Sequence, residues 1–334
     1  MSDGDAPGIA DRLHRFIAAQ LPDATDLQLH GLQRTSAGLS RENWVFDASW
    51  RDRGTVVDEA LILRRDPEGS VLRTDRRVEF AVLEALARTG VPVPRVRWLD
   101  DHGRTLGRPS VVMCREQGRC EYFCLTDDAR ALDVRVALAQ EFLDTLASIA
   151  LVDWSALGLG AVLVDPGRHG AAAALDHWES ELRRVQREPF PEMEVVLTWL
   201  RSRAPAAQAT VLVHGDFKPG NALVRGDHVG VVLDWETAHL GDPLEDLGWI
   251  TNPVRRREHQ IPGVWERDQI VARWSERTGF RVDPAELSWW NVLANYKLAV
   301  IGLTGVAEFI DGNMDRPYNA PLSLCGIMYD LMGV

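Results

Sequence analysis

Apolar residues at Ile9, Leu13, Phe16, Ile17 and Leu21 recur at helical spacing, and Pro22 ends the run. The period then changes. Leu27–Leu32, Trp44–Trp50 and Ala60–Arg64 read as strands, the second partly alternating apolar with polar positions. Val71–Arg88 returns to helical spacing through Val71, Leu72, Val78, Val82, Leu83 and Leu86, and Gly90 stops it. Val91-Pro92-Val93-Pro94 is a rigid connector, followed by strands at Val96–Leu99 and Pro109–Met113. Past a polar crossing at Cys114–Arg119 the pattern is helical: Ala129–Ile149, Leu175–Arg187, Glu192–Arg201, Asp268–Arg277 and Pro284–Phe309. The sequence thus predicts an α+β protein of two lobes. Residues 1–115 form a small β-rich lobe with one principal helix, and residues 116–334 form a larger helical one.

A hairpin interrupts the helical half. Val211–Val213 is a short apolar strand, His214–Asn221 a polar loop, and Ala222–Val224 and Val229–Leu233 flank a turn at residues 225–228. With the turn centred between Asp227 and His228, opposed residues have numbers summing to 455. Asn221 and Asp234 then become cross-strand neighbours, their Cβ atoms roughly 4.5–5.5 Å apart. An amide oxygen and a carboxylate at that separation suit a hard cation such as Mg²⁺. Asp216, on the loop feeding the hairpin, brings a third oxygen-bearing side chain to the same end.

Bulk properties narrow the field. The chain has 334 residues, 46% hydrophobic and 26% charged, ordinary for a globular protein with room for two cores. A net charge of −12 argues against a nucleic-acid-binding surface. Cys114, Cys120, Cys124 and Cys325 show no paired spacing with histidines, so reduced thiols are expected rather than a zinc site. The acidic N-terminus is unlike a signal peptide, and no apolar run approaches membrane-spanning length. A cytoplasmic protein without nucleic-acid or membrane partners, monomeric or homodimeric, is the expectation.

The β-rich lobe adds two features. Ser36-Ala37-Gly38-Leu39-Ser40 is a small polar turn between strands, able to fold over a phosphate with backbone N–H groups, although one glycine also fits a plain hairpin. Arg64 ends an apolar strand. Glu79 lies mid-helix, where an acid ordinarily faces solvent, with Arg64 as its possible partner. A phosphate-type cation on one side of a crossing and metal-type oxygens on the other suggest phosphoryl transfer.

The motif H-G-D-F-K-P-G-N from His214 to Asn221, followed by L-D-W-E-T-A-H-L-G-D-P-L-E-D-L from Leu233, resembles the aminoglycoside phosphotransferase-like (phosphotransferase enzyme) family, relatives of protein kinases. Asp216 and Asn221 keep the kinase Asp-to-Asn spacing. Leu61-Ile62-Leu63-Arg64-Arg65-Asp66-Pro67 is similar to the branch related to kinase domains of acyl-CoA dehydrogenase fusions, and residues 90–94 and 107–113 also fit it. The resemblance implies a protein-kinase-like fold and an ATP-dependent (or GTP-dependent) enzyme using Mg²⁺ to phosphorylate a hydroxyl of a small molecule. It implies Asp216 as catalytic base, with Asn221 and Asp234 holding Mg²⁺. Arg64 would touch the phosphates, braced by Glu79. Ser36, Gly38 and Ser40 would cover the phosphates, and the backbone from Met113 to Arg115 would bond adenine. His214 would hold the loop, with general base as its rival role. Lys218, two residues after Asp216, suits charge on the transferring group. Asp242 and Asp246 suit capping of loop and helix N–H groups.

The chain departs from protein kinases in carrying Arg64 where they carry Lys, and the two are not interchangeable. Trp235-Glu236 replaces Phe-Gly, which leaves Glu236 as a further metal or network acid. The acceptor pocket is expected near Asp234–His239 and the late helices, where Lys297 stands in an apolar stretch. Lys297 suits an anionic substrate or a partner such as Asp311, whereas Glu308 and Asp311 suit a cationic substrate. Two further readings stay open: a nucleotide-binding pseudoenzyme, motivated by Arg64, and a metal-dependent hydrolase built on His214, Asp216, Asp234 and Asp242.

Overall fold

The computed structural model describes residues 6–35, 42–66, 75–314 and 322–334. Ser36, Gly38 and Ser40 therefore lie outside the described residues, as do residues 71–74 of the expected helix. Helix α1 (Ala6–Gln20) leads into strands β1 (Thr25–Thr35), β2 (Glu42–Asp52) and β3 (Thr55–Arg65). Helix α2 (Arg76–Leu86) and strands β4 (Val96–Asp100) and β5 (Ser110–Cys114) complete this lobe. The five strands form one antiparallel sheet in the order β1-β2-β3-β5-β4.

The alternation of β2 explains the sheet's outer cover. Trp44, Phe46, Ala48 and Trp50 face one side, where they share a core with Ile9, Leu13, Phe16 and Ile17 of α1. In β5 the period of two splits the strand between cores. Val112 joins that outer cluster, whereas Val111 and Met113 join Val82, Leu83 and Leu86 of α2. Helix α2 thus lies on the opposite face of the sheet from α1. Asp75 caps it, accepting from Arg77 N–H at 2.8 Å.

The second lobe carries α3 (Leu132–Ala150), α4 (Gly170–Val185) and α5 (Pro191–Ser202) before the hairpin region. That region holds β6 (Val211–Val213), β7 (Ala222–Arg225), β8 (His228–Val232) and β9 (His239–Gly241). Helices α6 (Leu244–Ile250), α7 (Arg256–His259), α8 (Arg267–Thr278), α9 (Pro284–Ile310) and α10 (Leu322–Met332) follow. Strand β6 pairs with β9, and β7 with β8. The fold is bilobal and protein-kinase-like, a small β-rich lobe joined to a larger helical one.

Contrary to the reading of the sequence, α9 is long and apolar enough to cross a membrane by length and composition. Its hydropathic window is 61% buried within the protein, against α4, α5, α6 and α10. It is the axle of this lobe. Gly248 of α6 lies so close that an added Cβ would stand 2.4 Å from Trp290 Cβ, which fixes α6 and its preceding loop on α9.

Candidate active site

The first three residues after β6, His214 to Asp216, have every backbone N–H and C=O bonded. His214 is fully buried. Its Nε2–H donates to Leu233 O at 2.9 Å, and its Nδ1 accepts the Asp216 N–H at 3.2 Å. Those bonds assign the neutral Nε2–H tautomer, and burial pushes the imidazole pKa down. With both nitrogens engaged, His214 holds the loop and has none left to act as a base. Asp246, on α6, accepts from His214 N–H at 2.7 Å and from Gly215 N–H at 2.9 Å. Thr237 Oγ1 donates to His214 O at 2.9 Å, and Lys297 Nζ donates to Gly215 O. Gly215 has φ +83°, and a Cβ there would fall 2.8 Å from Thr237 Oγ1, so only glycine fits between these clamps.

This fixed loop presents Asp216. Its Oδ2 accepts from Lys218 Nζ at 2.6 Å and from Asn221 Nδ2 at 2.9 Å. Its Oδ1 lies 3.9 Å from Arg255 Nη2. Arg255 was not singled out in the sequence. It sits in an Arg-Arg-Arg run whose spacing gives no hint that one guanidinium folds back over Trp249, 3.9 Å from the ring centroid. Because Asn221 also donates to Asp216 O at 3.0 Å, its amide is oriented and Oδ1 remains its acceptor atom.

The hairpin register differs from the expected one. Arg225 faces His228 across a two-residue turn at Gly226-Asp227. Gly230 is a bulge, lying between the pairs Val224–Val229 and Leu223–Val231. Above the bulge Ala222 faces Val232, and Leu233 N–H donates to Asn221 O at 2.7 Å. Asn221 therefore faces Leu233, and Asp234 comes one residue later with a left-handed φ of 60°. An aspartate tolerates that region better than most residues, and the turn redirects its carboxylate out of the strand.

Asp234 meets Arg64. The Arg64 Nη2 donates to Asp234 Oδ1 at 2.6 Å, directly bridging the two lobes. Arg64 Nη1 lies 3.5 Å from Glu79 Oε1. Burial opposes the charge on Arg64, but Asp234, Glu79 and Glu236 outweigh it and raise its pKa further. Glu79, in the first turn of α2, is 1% exposed and turns away from the solvent an acid ordinarily faces, toward the Arg64 partner that the sequence suggests. At the crossing, Cys114 N–H donates to Arg95 O and Arg115 N–H to Ala60 O, each at 2.8 Å. These N–H groups serve the sheet, so the expected Met113-to-Arg115 adenine contacts cannot use them. The Arg115 side chain pairs with Asp47 at 2.6 Å.

Among the described residues no group of three or more His, Cys, Asp or Glu side chains gathers as a metal site. The local donors, Asn221 and Asp234, are oxygen ligands few enough to suit Mg²⁺ completed by phosphate oxygens and water. The hydrolase reading loses its ligands. His214 is fully engaged, and Asp242 caps α6, accepting from Leu244 N–H at 2.7 Å. Burial raises the Asp242 pKa to about 6. Asp242 and Asp246 thus do the capping work their positions suggested.

Behind the loop lies a cavity of about 320 Å³, walled by α4, residues 236–240, Glu245 and Lys297. Small residues Gly170, Ala173 and Ala174 open it on one side. Lys297 is buried, its Nζ 4.6 Å from the Trp249 ring centroid and 5.1 Å from that of Trp178. Burial lowers its pKa. It meets neither Asp311, which pairs with Arg187, nor any other carboxylate among the described residues. His239 has acceptors at both nitrogens, Thr237 O at 2.9 Å and Glu245 Oε2 at 3.1 Å. Burial opposes its charge, yet Glu245 and Thr237 raise its pKa to about 8.

Comparisons with known proteins place the chain in a family and support its fold. A family model described as the phosphotransferase enzyme family matches residues 32–281. Acyl-CoA dehydrogenase family member 10 of Mus musculus is 30% identical over 239 residues, 68% of this chain but only 22% of that protein's length. A crystal structure from Ralstonia eutropha JMP134, provisionally assigned as an aminoglycoside phosphotransferase, aligns over 97% of this chain and 98% of its own. Its TM-score is 0.74 at 21% identity. The streptomycin–ATP ternary complex of APH(2″)-IIa aligns over 91% of both chains, with TM-score 0.58 and 16% identity. With its fold, its catalytic-type loop and a family match covering most of its length, the chain belongs to the phosphotransferase enzyme family.

Proposed function

We propose that this protein transfers the γ-phosphoryl group of ATP (or GTP) to a hydroxyl of a small molecule. The observation that carries the reading is the juxtaposition of Asp216, Lys218 and Asn221 on one rigid loop with an Arg64–Asp234 bridge closing the cleft above them. Asp216 Oδ2 is occupied by Lys218 and Asn221, which leaves Oδ1 to accept the acceptor hydroxyl's hydrogen bond and then its proton. Lys218 and Arg255 place positive charge beside the transferring group, where negative charge shifts in the transition state. Asn221 Oδ1 and Asp234 would hold Mg²⁺, which when bound would bridge and neutralise the nucleotide phosphates. Arg64 would exchange Asp234 for phosphate oxygens. The cavity beside Lys297 and Thr237 is the place for the acceptor, because both residues bond the two residues that precede Asp216.

The pseudoenzyme reading keeps one observation, the short Arg64–Asp234 contact, which occupies a metal carboxylate. A single screen separates the two. ATP consumption with Mg²⁺ is followed across aminoglycosides, macrolides, sugars, amino alcohols and hydroxyacyl thioesters, with Asp216→Asn alongside. A phosphorylated product, with kcat falling about 10³-fold or more in the variant at unchanged Tm, is expected. ATP binding without turnover on any acceptor would favour the pseudoenzyme.

A further inference from the structure

Arg64 is shared by two carboxylates, and the sharing is uneven. Asp234 lies at hydrogen-bond distance, 2.6 Å, whereas Glu79 stays at 3.5 Å. A carboxylate as buried as Glu79, facing a lone guanidinium, would ordinarily draw it into a two-pronged fork. Here it does not, and the reason is a second arginine. Arg76, 2% exposed, opens α2 one turn ahead of Glu79 and donates through Nη1 to Glu79 Oε2. Arg76 is held in turn from the sheet. Its Nε donates to Asp66 Oδ1 at 2.8 Å, and Asp66 follows Arg64 by two residues. The result is an alternating row, Asp66, Arg76, Glu79, Arg64, Asp234, whose middle three members are buried. Within it Arg64 Nε is buried and has no acceptor, so the guanidinium keeps donor capacity for an oxyanion.

We propose that Arg76 is a positioning residue for the nucleotide phosphates, acting through Glu79. By occupying Oε2 it keeps the Glu79–Arg64 contact one-handed, which leaves Arg64 Nη2 directed across the cleft. The proposal rests on the reading of Arg64 as a phosphate ligand.

The test is equilibrium binding of Mg²⁺-ATP, Mg²⁺-ADP and adenosine to the wild type and to Arg76→Met, Arg76→Lys and Asp66→Asn. Arg76→Met is expected to weaken ATP and ADP about tenfold, less than removal of a direct phosphate contact because Arg76 acts through Glu79, and to leave adenosine unchanged. Arg76→Lys restores part of the loss, because it again neutralises Oε2. Asp66→Asn weakens ATP in the same direction by less, and it carries the test if Arg76→Met fails to fold. Equal weakening of adenosine, or unchanged ATP affinity in all three variants, overturns the proposal. A wild type that binds ATP no better than adenosine would instead sink the phosphate role of Arg64 itself, and this proposal with it.

Discussion

The loop around Asp216 and the row around Arg64 face each other across one cleft but are built in opposite ways. The loop is fixed through its backbone. Asp246, Thr237, Lys297 and the His214 ring take its N–H and C=O groups one after another. The Arg64 row is fixed through side-chain ion pairs, and one end of it, Asp234, is 40% exposed. Backbone bonds hold a group in one place. Side-chain ion pairs can exchange partners without unfolding anything. A proton acceptor benefits from the first kind of support, since misplacement by an ångström reduces rate steeply. On the proposed function, Arg64 would leave Asp234 when nucleotide enters, and that exchange would need the second.

Breaking each side should therefore show different symptoms. Arg64→Met is expected to lower kcat/KM about 100-fold, the scale for truncating one partner of a buried charge contact. Its thermal stability should stay within about 1 kcal/mol, because Glu79 keeps Arg76 and Asp234 remains open to water. Initial rates at varied ATP, beside a melting curve, check both halves. A large drop in Tm would mean the row is a structural core and not an exchangeable one. Asp246→Ala reverses the symptoms. It orphans two buried N–H donors, so stability should fall by about 2–4 kcal/mol, read as a lower urea midpoint. Activity measured well below the new melting temperature should fall less than in Arg64→Met.

The contrast also explains what could be read along the chain. The loop is local, so the spacing of His214, Asp216 and Asn221 carried it, as did the capping positions of Asp242 and Asp246. The hairpin register was misjudged because a bulge at Gly230 and the placement of the turn are set by backbone conformation, which alternation of apolar residues does not encode. The Arg64–Glu79 partnership is legible in the sequence, but a helix pattern shows which face is apolar and not how deeply a charge there is buried. The two partners of Glu79 decide its burial, and one of them, Arg76, gives no signal along the chain, where it is one arginine of several on a helical stretch. Arg64 and Asp234 meet across 170 positions of sequence, a distance no local pattern spans. Helix α10, which packs on α9, is short and follows a stretch without clear periodicity, so the pattern along the chain does not mark it.

The smallest effect tests whether the cavity beside Lys297 belongs to the rigid side of the contrast. His239 donates from both nitrogens, to Thr237 O and to Glu245, so the folded state favours the imidazolium. Its folded pKa of about 8 lies above the usual 6.5. The bond to Glu245 thus stabilises the protein fully below pH 6.5 and is lost as pH rises through 8. Glu245 is held below its usual value, burial opposing and His239 prevailing, so the pair also weakens as pH falls through the acid's range. Lys297 on α9 and His177 on α4 bear on the same spot, and Lys297 works against the imidazolium's charge. With half-open exposure and screening allowed for, the pair contributes about 1 kcal/mol. The gap in Tm between the wild type and His239→Gln should therefore be widest near pH 6 and close by pH 9. Asp242 titrates in both proteins and cancels from the difference. A gap independent of pH would mean that His239 acts in this wall by shape alone, and that this part of the cavity is held without help from charge.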